Sequence, residues 1–354
     1  MRNRILLFAS ACLYYSGLIR LVNWLHRYSG RRLLIVNYHL ASRGELRRHL
    51  LYLRKHFRLQ FVDHALEELY TTDEDKTSSK DRRIPLAVTF DDGYVDNYTH
   101  AYTLARELQI PITIFLISGY IGGGAAFWWF DHLVEKAQVD QISIDGHTYH
   151  TNNLDEQREL AQIIDTNVNA TADEDARQTY VRWMSCMFSE PVAANAGPDE
   201  APVPMLTWEQ VQEMRASGWV AFGGHTLHHP TLARLTNADE ACKEVAACRS
   251  LLQEKLAQSA RVFAYPHGGI EHIGADGVLA VQRAGYRWAV TTVPGSNTPG
   301  TNPYLLRRVS ANVRMHWLLI ALMTSGIWDF LSYFNWLIKR IKYRKILKTM
   351  PLSH

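Results

Sequence analysis

The segment Leu86–Gly93, LAVTFDDG, decides the fold of this chain. Its first five residues, Leu86–Phe90, form an apolar run typical of a buried strand in a parallel sheet. Two carboxylates, Asp91 and Asp92, follow directly, and Gly93 permits a sharp turn after them. In α/β proteins with parallel sheets, functional side chains gather where the strands end. The segment is therefore typical of a parallel strand with a polar site at its carboxyl end, and an ordinary Asp-Gly turn without a site is the alternative when the segment is taken alone.

The middle of the chain repeats this alternation of strand and helix. The predicted strands are Leu33–Tyr38, Pro85–Phe90, Ile112–Ile117, Trp219–Phe222, Arg261–Tyr265, Tyr286–Thr292 and Tyr304–Val309. The predicted helices are Arg43–His56, Tyr94–Leu108, Thr207–Ser217, Ala238–Leu256 and Glu271–Ala284. The alternation predicts an α/β domain with a largely parallel sheet. Residues 138–204 interrupt the pattern with a predicted hairpin at Gln141–His150, and we interpret them as an insertion.

The composition is that of a globular protein. The chain has 354 residues, of which 47% are hydrophobic and 21% charged, and these values exclude a disordered or fibrous class. The four cysteines lack metal-binding spacing and are too few for a disulfide framework, so they are expected to be small core residues. They are Cys12, Cys186, Cys242 and Cys248.

The charge is distributed unevenly. Residues 1–58 carry twelve Lys and Arg side chains against one acidic side chain, a net charge of +11. Residues 301–354 carry nine against one, a net charge of +8, whereas residues 59–300 carry 17 basic and 33 acidic side chains, a net charge of −16. Two basic ends therefore flank an acidic body. Basic ends indicate an anionic partner, either membrane lipid or nucleic acid.

The N-terminal end is apolar as well as basic. Ile5–Leu25 (ILLFASACLYYSGLIRLVNWL) has the length of a membrane span, but Arg20 and Asn23 interrupt it. The apolar run before the first small residues, Ile5–Phe8, is too short for the hydrophobic region of a signal peptide. Residues 1–30 are therefore expected to form a membrane-associating segment.

The C-terminal end, residues 313–354, has the pattern of an amphipathic basic helix. Trp317–Ile338 is rich in Leu, Ile, Trp and Phe, and six Lys and Arg side chains follow it. Aromatic side chains beside a basic tail are typical of a helix that lies in a membrane interface, although a terminal helix packed on the domain is the alternative. Helix-turn-helix, zinc-finger and aromatic stacking motifs are not visible, so we expect a membrane surface and no nucleic acid as partner.

A histidine cluster follows the predicted strand Trp219–Phe222. Residues 225–230 read HTLHHP, and His225 and His229 would share one face if this segment is helical. Neutral imidazoles suit a divalent transition metal. Two histidines and one carboxylate form a three-ligand set that leaves a position open, as a hydrolytic site requires. An exposed polar turn with no ligand role is the alternative interpretation.

Three motifs in this order resemble the polysaccharide deacetylases, carbohydrate esterase family four. They are TFDDG at 89–93, HTLHHP at 225–230 and FAYPHG at 263–268, and IVNYH at 35–39 precedes them. The FAYPHG motif is similar to that of a subgroup, the biofilm poly-N-acetylglucosamine deacetylases. The resemblance covers roughly residues 33–310 and implies a distorted (β/α)7 barrel that removes an acetyl group from a sugar.

The resemblance also implies roles for individual residues. Asp91 matches the catalytic base, and Asp92, His225 and His229 match the ligands of a divalent metal ion, which we expect to be Zn²⁺. The backbone N–H of His267 matches a donor to the oxyanion. The expected chemistry is consistent, because such an ion polarises the acetyl carbonyl and a water molecule while a carboxylate accepts the proton of that water.

Two features of the family are missing at their usual positions. Many members have an arginine in the third motif that orients the base, whereas this chain has Ala264 there. Arg307 and Arg308 are both candidates to replace it, and the sequence does not choose between them. The late Leu-x-His motif that supplies a general acid is also not found near residues 300–312, where LLRRV stands at 305–309. Tyr38-His39 matches the early Tyr-His sequence of the biofilm subgroup, so His39 is the expected general acid, with a hydrogen-bonded histidine at a strand end as the alternative.

These patterns predict three segments and one leading function. Residues 1–30 would associate with a membrane, residues 31–312 would form the barrel with its insertion, and residues 313–354 would form the basic helix. The expected activity is metal-dependent removal of an acetyl group from an N-acetylated sugar of a polysaccharide or lipid-linked saccharide, at a bacterial inner membrane. A sugar O-deacetylase or deformylase with the same site, and a catalytically weak saccharide-binding or scaffold homologue, are the alternatives.

Overall fold

The computed structural model describes residues 2–26, 31–42, 44–71, 81–122, 139–144, 146–153, 204–235 and 238–327, with isolated positions between 156 and 187. The chain divides into two compact units. The larger comprises residues 1–124, 205–233 and 238–354, and the smaller comprises residues 125–204 and 234–237.

Ten strands are described, eight of them in one sheet. In chain order they are β1 (Leu34–Tyr38), β2 (Arg58–Leu59), β3 (Pro85–Phe90), β4 (Ile112–Leu116), β5 (Gln141–Ile144), β6 (His147–His150), β7 (Val220–Gly224), β8 (Val262–Ala264), β9 (Trp288–Val290) and β10 (Val309–Ser310). The order in the main sheet is β10-β1-β3-β4-β7-β8-β9, with β2 beside β3, and all of these pairings are parallel. This confirms the predicted parallel sheet and its barrel class.

Residues 306–310 connect the two edges of the sheet. Leu306 pairs with Val290 at the end of β9, and Val309 pairs with Val36 of β1. The backbone N–H of Thr291 donates to the Leu306 carbonyl, at 2.8 Å. One short segment therefore contacts both the first and the last strands, and its side chains alternate between the inside and outside of the curved sheet.

The sheet is surrounded by helices. In chain order they are α1 (Arg2–Tyr15), α2 (Leu18–His26), α3 (Leu46–His56), α4 (Val62–Tyr70), α5 (Thr103–Leu108), α6 (Trp208–Ala216), α7 (Ala238–Leu256), α8 (Ile270–Arg283) and α9 (Trp317–Thr324). The predicted helix over 94–108 is divided, because Asn97–Tyr102 forms a π-helical turn before α5. A capping box begins α6, with reciprocal hydrogen bonds between Thr207 and Gln210.

The core lies inside the curved sheet and under α4. Buried side chains from successive strands, including Ile35, Ala87, Phe115 and Val290, pack together with Leu66 of α4. α4 is not among the helices predicted from the sequence. Its short amphipathic pattern covers one end of the sheet and supplies four buried side chains, Val62, Ala65, Leu66 and Leu69. These four side chains join α4 to the core of the sheet.

The smaller unit contains the predicted hairpin. Gln141 lies opposite His150, and the two strands are antiparallel. Ile142, Ile144 and Tyr149 form a cluster with other buried side chains, namely Leu160, Ile164 and Met184. The insertion therefore has an apolar core of its own.

The two ends of the chain differ from each other in burial. Leu318, Ile320 and Leu322 of α9 are buried, so the packing alternative holds for this part of the C-terminal segment. Residues 328–354, with their basic tail, lie outside the described residues.

Cys248 is buried as expected, but Cys12 is exposed on α1 and is not a core residue.

No helix in the described ranges is, by itself, long and apolar enough to cross a bilayer. Taken as a pair, Leu6–Tyr15 and Leu18–His26 meet that length and composition test, with a bend of 70° between them.

Candidate metal and catalytic site

Three predicted ligands meet at one rim of the sheet. Asp92 follows β3, whereas His225 and His229 follow β7, and their ligand atoms all lie within 4.8 Å of one another. All three side chains are buried. The register explains the convergence, because Leu116 of β4 lies opposite Gly224 and parallel strands end at a common edge.

The two histidines converge through a loop, and not through the helical arrangement that their spacing would also allow. Residues 225–231 form no helix, and Thr226 and His229 have left-handed φ angles of 64° and 63°. The Thr226 hydroxyl accepts a hydrogen bond from the backbone N–H of His229, at 2.8 Å. This local bond fixes a strained turn that folds His229 back beside His225.

The Asp92 carboxylate has an environment that suits a cation. Its two oxygens are buried and accept no regular hydrogen bond from the described residues. Two imidazole nitrogens lie beside it, Nε2 of His225 at 3.3 Å from Oδ1 and Nε2 of His229 at 3.7 Å from the same oxygen. A buried carboxylate without donors is costly, and a divalent cation between these three groups would satisfy it. The residues present therefore fit the metal that the motif implies.

The second nitrogen of His225 is held by the backbone. Its Nδ1 lies 2.7 Å from the carbonyl oxygen of Ala264, and since a carbonyl can only accept, Nδ1 carries the proton. Nε2 is then the atom available to a metal. Burial alone would lower the pKa of His225, but Asp92 and Asp91 outweigh burial and raise it above its usual value. The site therefore favours positive charge.

Asp91, the predicted base, is bound by Arg308. The two guanidinium nitrogens Nη1 and Nη2 donate to its two carboxylate oxygens, each at 2.7 Å, and both side chains are buried. Burial alone would raise the pKa of Asp91, but the charge and hydrogen bonds of Arg308 outweigh burial and hold that pKa below its usual value. The carboxylate is thereby kept ionised and fixed in one orientation.

The position of Arg308 in the segment that joins the sheet edges explains its role. Its backbone N–H donates to the Val293 carbonyl at 3.0 Å, and its Nε donates to the Thr291 carbonyl at 2.7 Å. Neighbouring residues of an extended segment face opposite sides, so only one of Arg307 and Arg308 can face inward, and the sequence does not show which one does. The structure assigns the inward position to Arg308, where its guanidinium binds the Asp91 carboxylate.

His39 lies beside the base on the exposed side. Its Nε2 is 3.9 Å from Oδ2 of Asp91, and 43% of its side chain is exposed. The loop that carries it is held by two residues that the sequence analysis missed. Asn97 donates to the His39 carbonyl at 3.0 Å, and Asp96 accepts from the backbone N–H of Ala41 at 2.7 Å.

His267 lies at the same rim, after β8. Its φ angle of 58° is left-handed, and its carbonyl accepts a hydrogen bond from the Thr292 hydroxyl at 2.9 Å. Its ring centroid is 5.1 Å from that of His229. The six predicted site residues therefore surround one small region, which the sequence analysis located without knowing its geometry.

A third residue that the sequence did not indicate, Glu244 of α7, supports the loop that carries the histidines. Its Oε2 accepts from the backbone N–H groups of Leu227 and His228, at 3.2 and 3.0 Å. Its Oε1 lies 2.8 Å from Nδ1 of His228. Three hydrogen bonds thus hold the segment between His225 and His229. Sixteen residues separate Glu244 from His228, so no local pattern could have found it.

Comparison with known proteins agrees with this geometry. The family model described as polysaccharide deacetylase matches residues 78–185 and 163–289. The Bacillus subtilis (strain 168) protein YxkH, whose name places it among the polysaccharide deacetylases, is 23% identical over 300 residues, covering 82% of this chain and 76% of YxkH.

Solved structures share the fold at low sequence identity. IcaB from Ammonifex degensii is 19% identical, with a TM-score of 0.52 over 84% of this chain and 98% of its own. The Streptococcus pyogenes deacetylase PplD is 15% identical, with a TM-score of 0.52 over 84% of this chain and 99% of its own. The family match includes both the Asp91-Asp92 turn and the histidine loop that meet at the rim of the sheet, and on this ground the chain belongs to the polysaccharide deacetylase family.

Proposed function

We propose that the protein is a metal-dependent hydrolase that removes the acetyl group from an N-acetylated sugar. The observation that carries the proposal is the buried group of Asp92, His225 and His229 beside an ionised Asp91. Family membership supports a carbohydrate deacetylase, and the donor set supports metal dependence. Two imidazoles and one carboxylate are a set that Zn²⁺ accepts with a position left open.

Asp92, His225 and His229 would hold the ion, which when bound supplies Lewis acidity for the acetyl carbonyl and for a water molecule. Asp91 is the proposed base that takes a proton from that water. Arg308 keeps the Asp91 carboxylate ionised and aimed, because it occupies both carboxylate oxygens with parallel hydrogen bonds.

His39 is the proposed general acid for the leaving nitrogen. Its position close to Asp91 and its exposed side support this role, since an acid must reach the substrate. The backbone N–H of His267, on a left-handed turn at the same rim, is the proposed donor to the oxyanion.

Two alternatives share this site. A sugar O-deacetylase or deformylase would use the same base and ligands and differ in its leaving group. A catalytically weak saccharide-binding homologue is less well supported than it was from sequence, because Arg308 replaces the missing motif arginine. We therefore keep N-deacetylation as the leading proposal.

The proposed place of action is a membrane, with a polysaccharide or a lipid-linked saccharide as substrate and the bacterial inner membrane as location. The net charges of +11 and +8 at the two ends support this, because anionic head groups attract basic segments. The exposed apolar side chains of α1 and α2 provide independent support.

The test of the catalytic proposal uses Asp91→Asn. The asparagine keeps the shape of the side chain but cannot accept the proton, so turnover should fall by about 10²- to 10⁴-fold while bound metal stays near the wild-type level. Acetate release and elemental analysis measure the two quantities on one preparation. A variant with near-normal turnover would remove Asp91 from the reaction.

A further inference from the structure

The helices α1 and α2 present an exposed apolar surface, which we call the terminal face. Of the nine large hydrophobic side chains that are exposed in the described parts of the chain, six lie between residues 8 and 25. They are Phe8, Tyr15, Leu18, Leu21, Trp24 and Leu25, with exposures of 40 to 75%. A concentration of this kind marks an interaction surface, since scattered single residues would be ordinary.

The spacing of these residues places them on one side of each helix. On α1, Phe8, Cys12 and Tyr15 follow at intervals of four and three residues, and all are exposed. On α2, Leu18, Leu21 and Leu25 follow at intervals of three and four. Residues at these intervals share a face of an α-helix. The terminal face is therefore continuous along each helix.

The opposite sides of the two helices are fixed to the protein. Ile19 and Asn23 of α2 are buried. The ring of Tyr14 packs edge-on against Trp317 of α9, with ring centroids 4.9 Å apart, and lies 6.2 Å from Tyr52 of α3. The helices are thus a built part of the larger unit, and the terminal face is held outward by packing.

The bend between the helices limits how deep they can reach. Gly17, with a φ of 81°, lies between them, and the two directions differ by 70°. At about 1.5 Å per residue, α2 is roughly 14 Å long, about half of a hydrocarbon core of roughly 30 Å. A bent pair with one side fixed to the protein can bury its other side in one leaflet.

From these observations we infer that the terminal face seats the protein in a single leaflet of an anionic bilayer. Residues 1–58 carry a net charge of +11, and Arg20 is exposed among the apolar side chains. Positive charge beside an apolar face complements anionic head groups, and Tyr15 and Trp24 belong to the residue types that favour the interface. The inference rests on the membrane location proposed above and is independent of the catalytic proposal.

The first test is vesicle flotation of the full chain with the double variant Leu21→Ser/Trp24→Ser. The probe is vesicles of phosphatidylcholine with about one third phosphatidylglycerol. Loss of two large apolar contacts should weaken binding roughly tenfold or more. Leu51→Ser is the matched control, because Leu51 is an exposed leucine of α3 outside the terminal face, and it should bind as the wild type does. Release of acetate from a soluble substrate should be unchanged in both variants.

The second test measures depth through Cys12, which lies on the terminal face. A fluorescent label is attached there in a variant whose other three cysteines are alanine. Lipids brominated near the head group should quench it more than lipids brominated near the bilayer centre. Stronger quenching from the centre would overturn the single-leaflet inference, as would a double variant that binds vesicles normally. The inference would also be overturned if the only effect of the double variant were to convert a dimer of the protein into a monomer. The terminal face would then be a contact surface for a second copy of the chain.

Discussion

Arg308 and Asp91 form a buried ion pair whose geometry determines the chemistry proposed for the site. Both side chains are buried, and the guanidinium uses its remaining Nε–H on the Thr291 carbonyl. Removing one partner of such a pair commonly costs about 3–5 kcal/mol of stability, so replacing Arg308 by alanine would test folding more than catalysis. A lysine keeps the charge and loses the two parallel hydrogen bonds.

For Arg308→Lys we expect a shift in the pH profile. Arg308 holds the pKa of Asp91 below its usual value, so a weaker partner lets that pKa rise. With a higher pKa, Asp91 is already protonated, and so inactive as a base, at a pH where the wild-type carboxylate is still ionised. The acid limb of the kcat/KM profile should therefore move to higher pH. The loss of turnover at neutral pH should be smaller than the 10²- to 10⁴-fold expected without a general base.

Arg307→Lys is the matched control, since Arg307 neighbours Arg308 and its backbone N–H is bonded to Asn297. Its acid limb should stay in place. An unchanged acid limb in a folded Arg308→Lys enzyme would show that Arg308 does not govern the base.

His39→Ala separates an acid from a structural histidine. An amine is a poor leaving group unless it is protonated, whereas the alcohol part of an activated ester leaves without receiving a proton. The variant should therefore slow an N-acetylated sugar much more than an activated acetyl ester. Equal slowing of the two substrates would instead indicate that His39 supports the loop held by Asp96 and Asn97.

At the scale of elements, α7 positions the loop that carries the two histidines. Glu244→Ala would leave the backbone N–H groups of Leu227 and His228 without their acceptor. Glu244 bonds the loop between the two histidine ligands and not a ligand itself, so the dissociation constant for Zn²⁺ should rise by about tenfold, the lower end of the range for direct partners of metal ligands. Zinc titration of chelator-treated protein measures it directly.

Glu254→Ala on the same helix is the control, because Glu254 is exposed and pairs only weakly with Lys255. It should bind zinc as the wild type does. Equal zinc affinity in Glu244→Ala and the wild type would show that the loop keeps its shape without α7.

The elements also show what the sequence could and could not predict. Apolar runs such as Ile112–Ile117 predicted the strands, and three polar turns after strands predicted most of the site. The loop that brings His225 and His229 together could not be predicted, because the left-handed φ angles of Thr226 and His229 cannot be read from a spacing. Glu244 and the choice of Arg308 depend on tertiary contacts between distant segments.

At the scale of the whole molecule, an acidic body lies between two basic ends. Salt should screen the electrostatic attraction between the basic ends and an anionic membrane, whereas the apolar contribution of the terminal face to binding should persist. We expect the intact protein to sediment with vesicles of phosphatidylcholine and phosphatidylglycerol, more weakly as salt increases. Failure to bind anionic vesicles at low salt would contradict the membrane location.

We expect the C-terminal tail to contribute to vesicle binding through its charge. Deleting residues 328–354 removes six Lys and Arg side chains after Ile338, and each contributes about 1 kcal/mol near an anionic surface. Binding should weaken most at low salt, with the fold intact. Deleting residues 313–354 would also remove the buried α9, so we expect that longer deletion to lower thermal stability. Circular dichroism melting separates the two effects.

The central claim is that Asp92, His225 and His229 hold a metal on which deacetylation depends. The most direct measurement follows acetate release from an N-acetylated oligosaccharide by chelator-treated protein, before and after Zn²⁺ is restored. The account predicts that activity disappears with the metal and returns with it, and that a folded His225→Ala/His229→Ala variant neither retains zinc nor regains activity. Full zinc content in that variant, or undiminished acetate release from the metal-free enzyme, would contradict it.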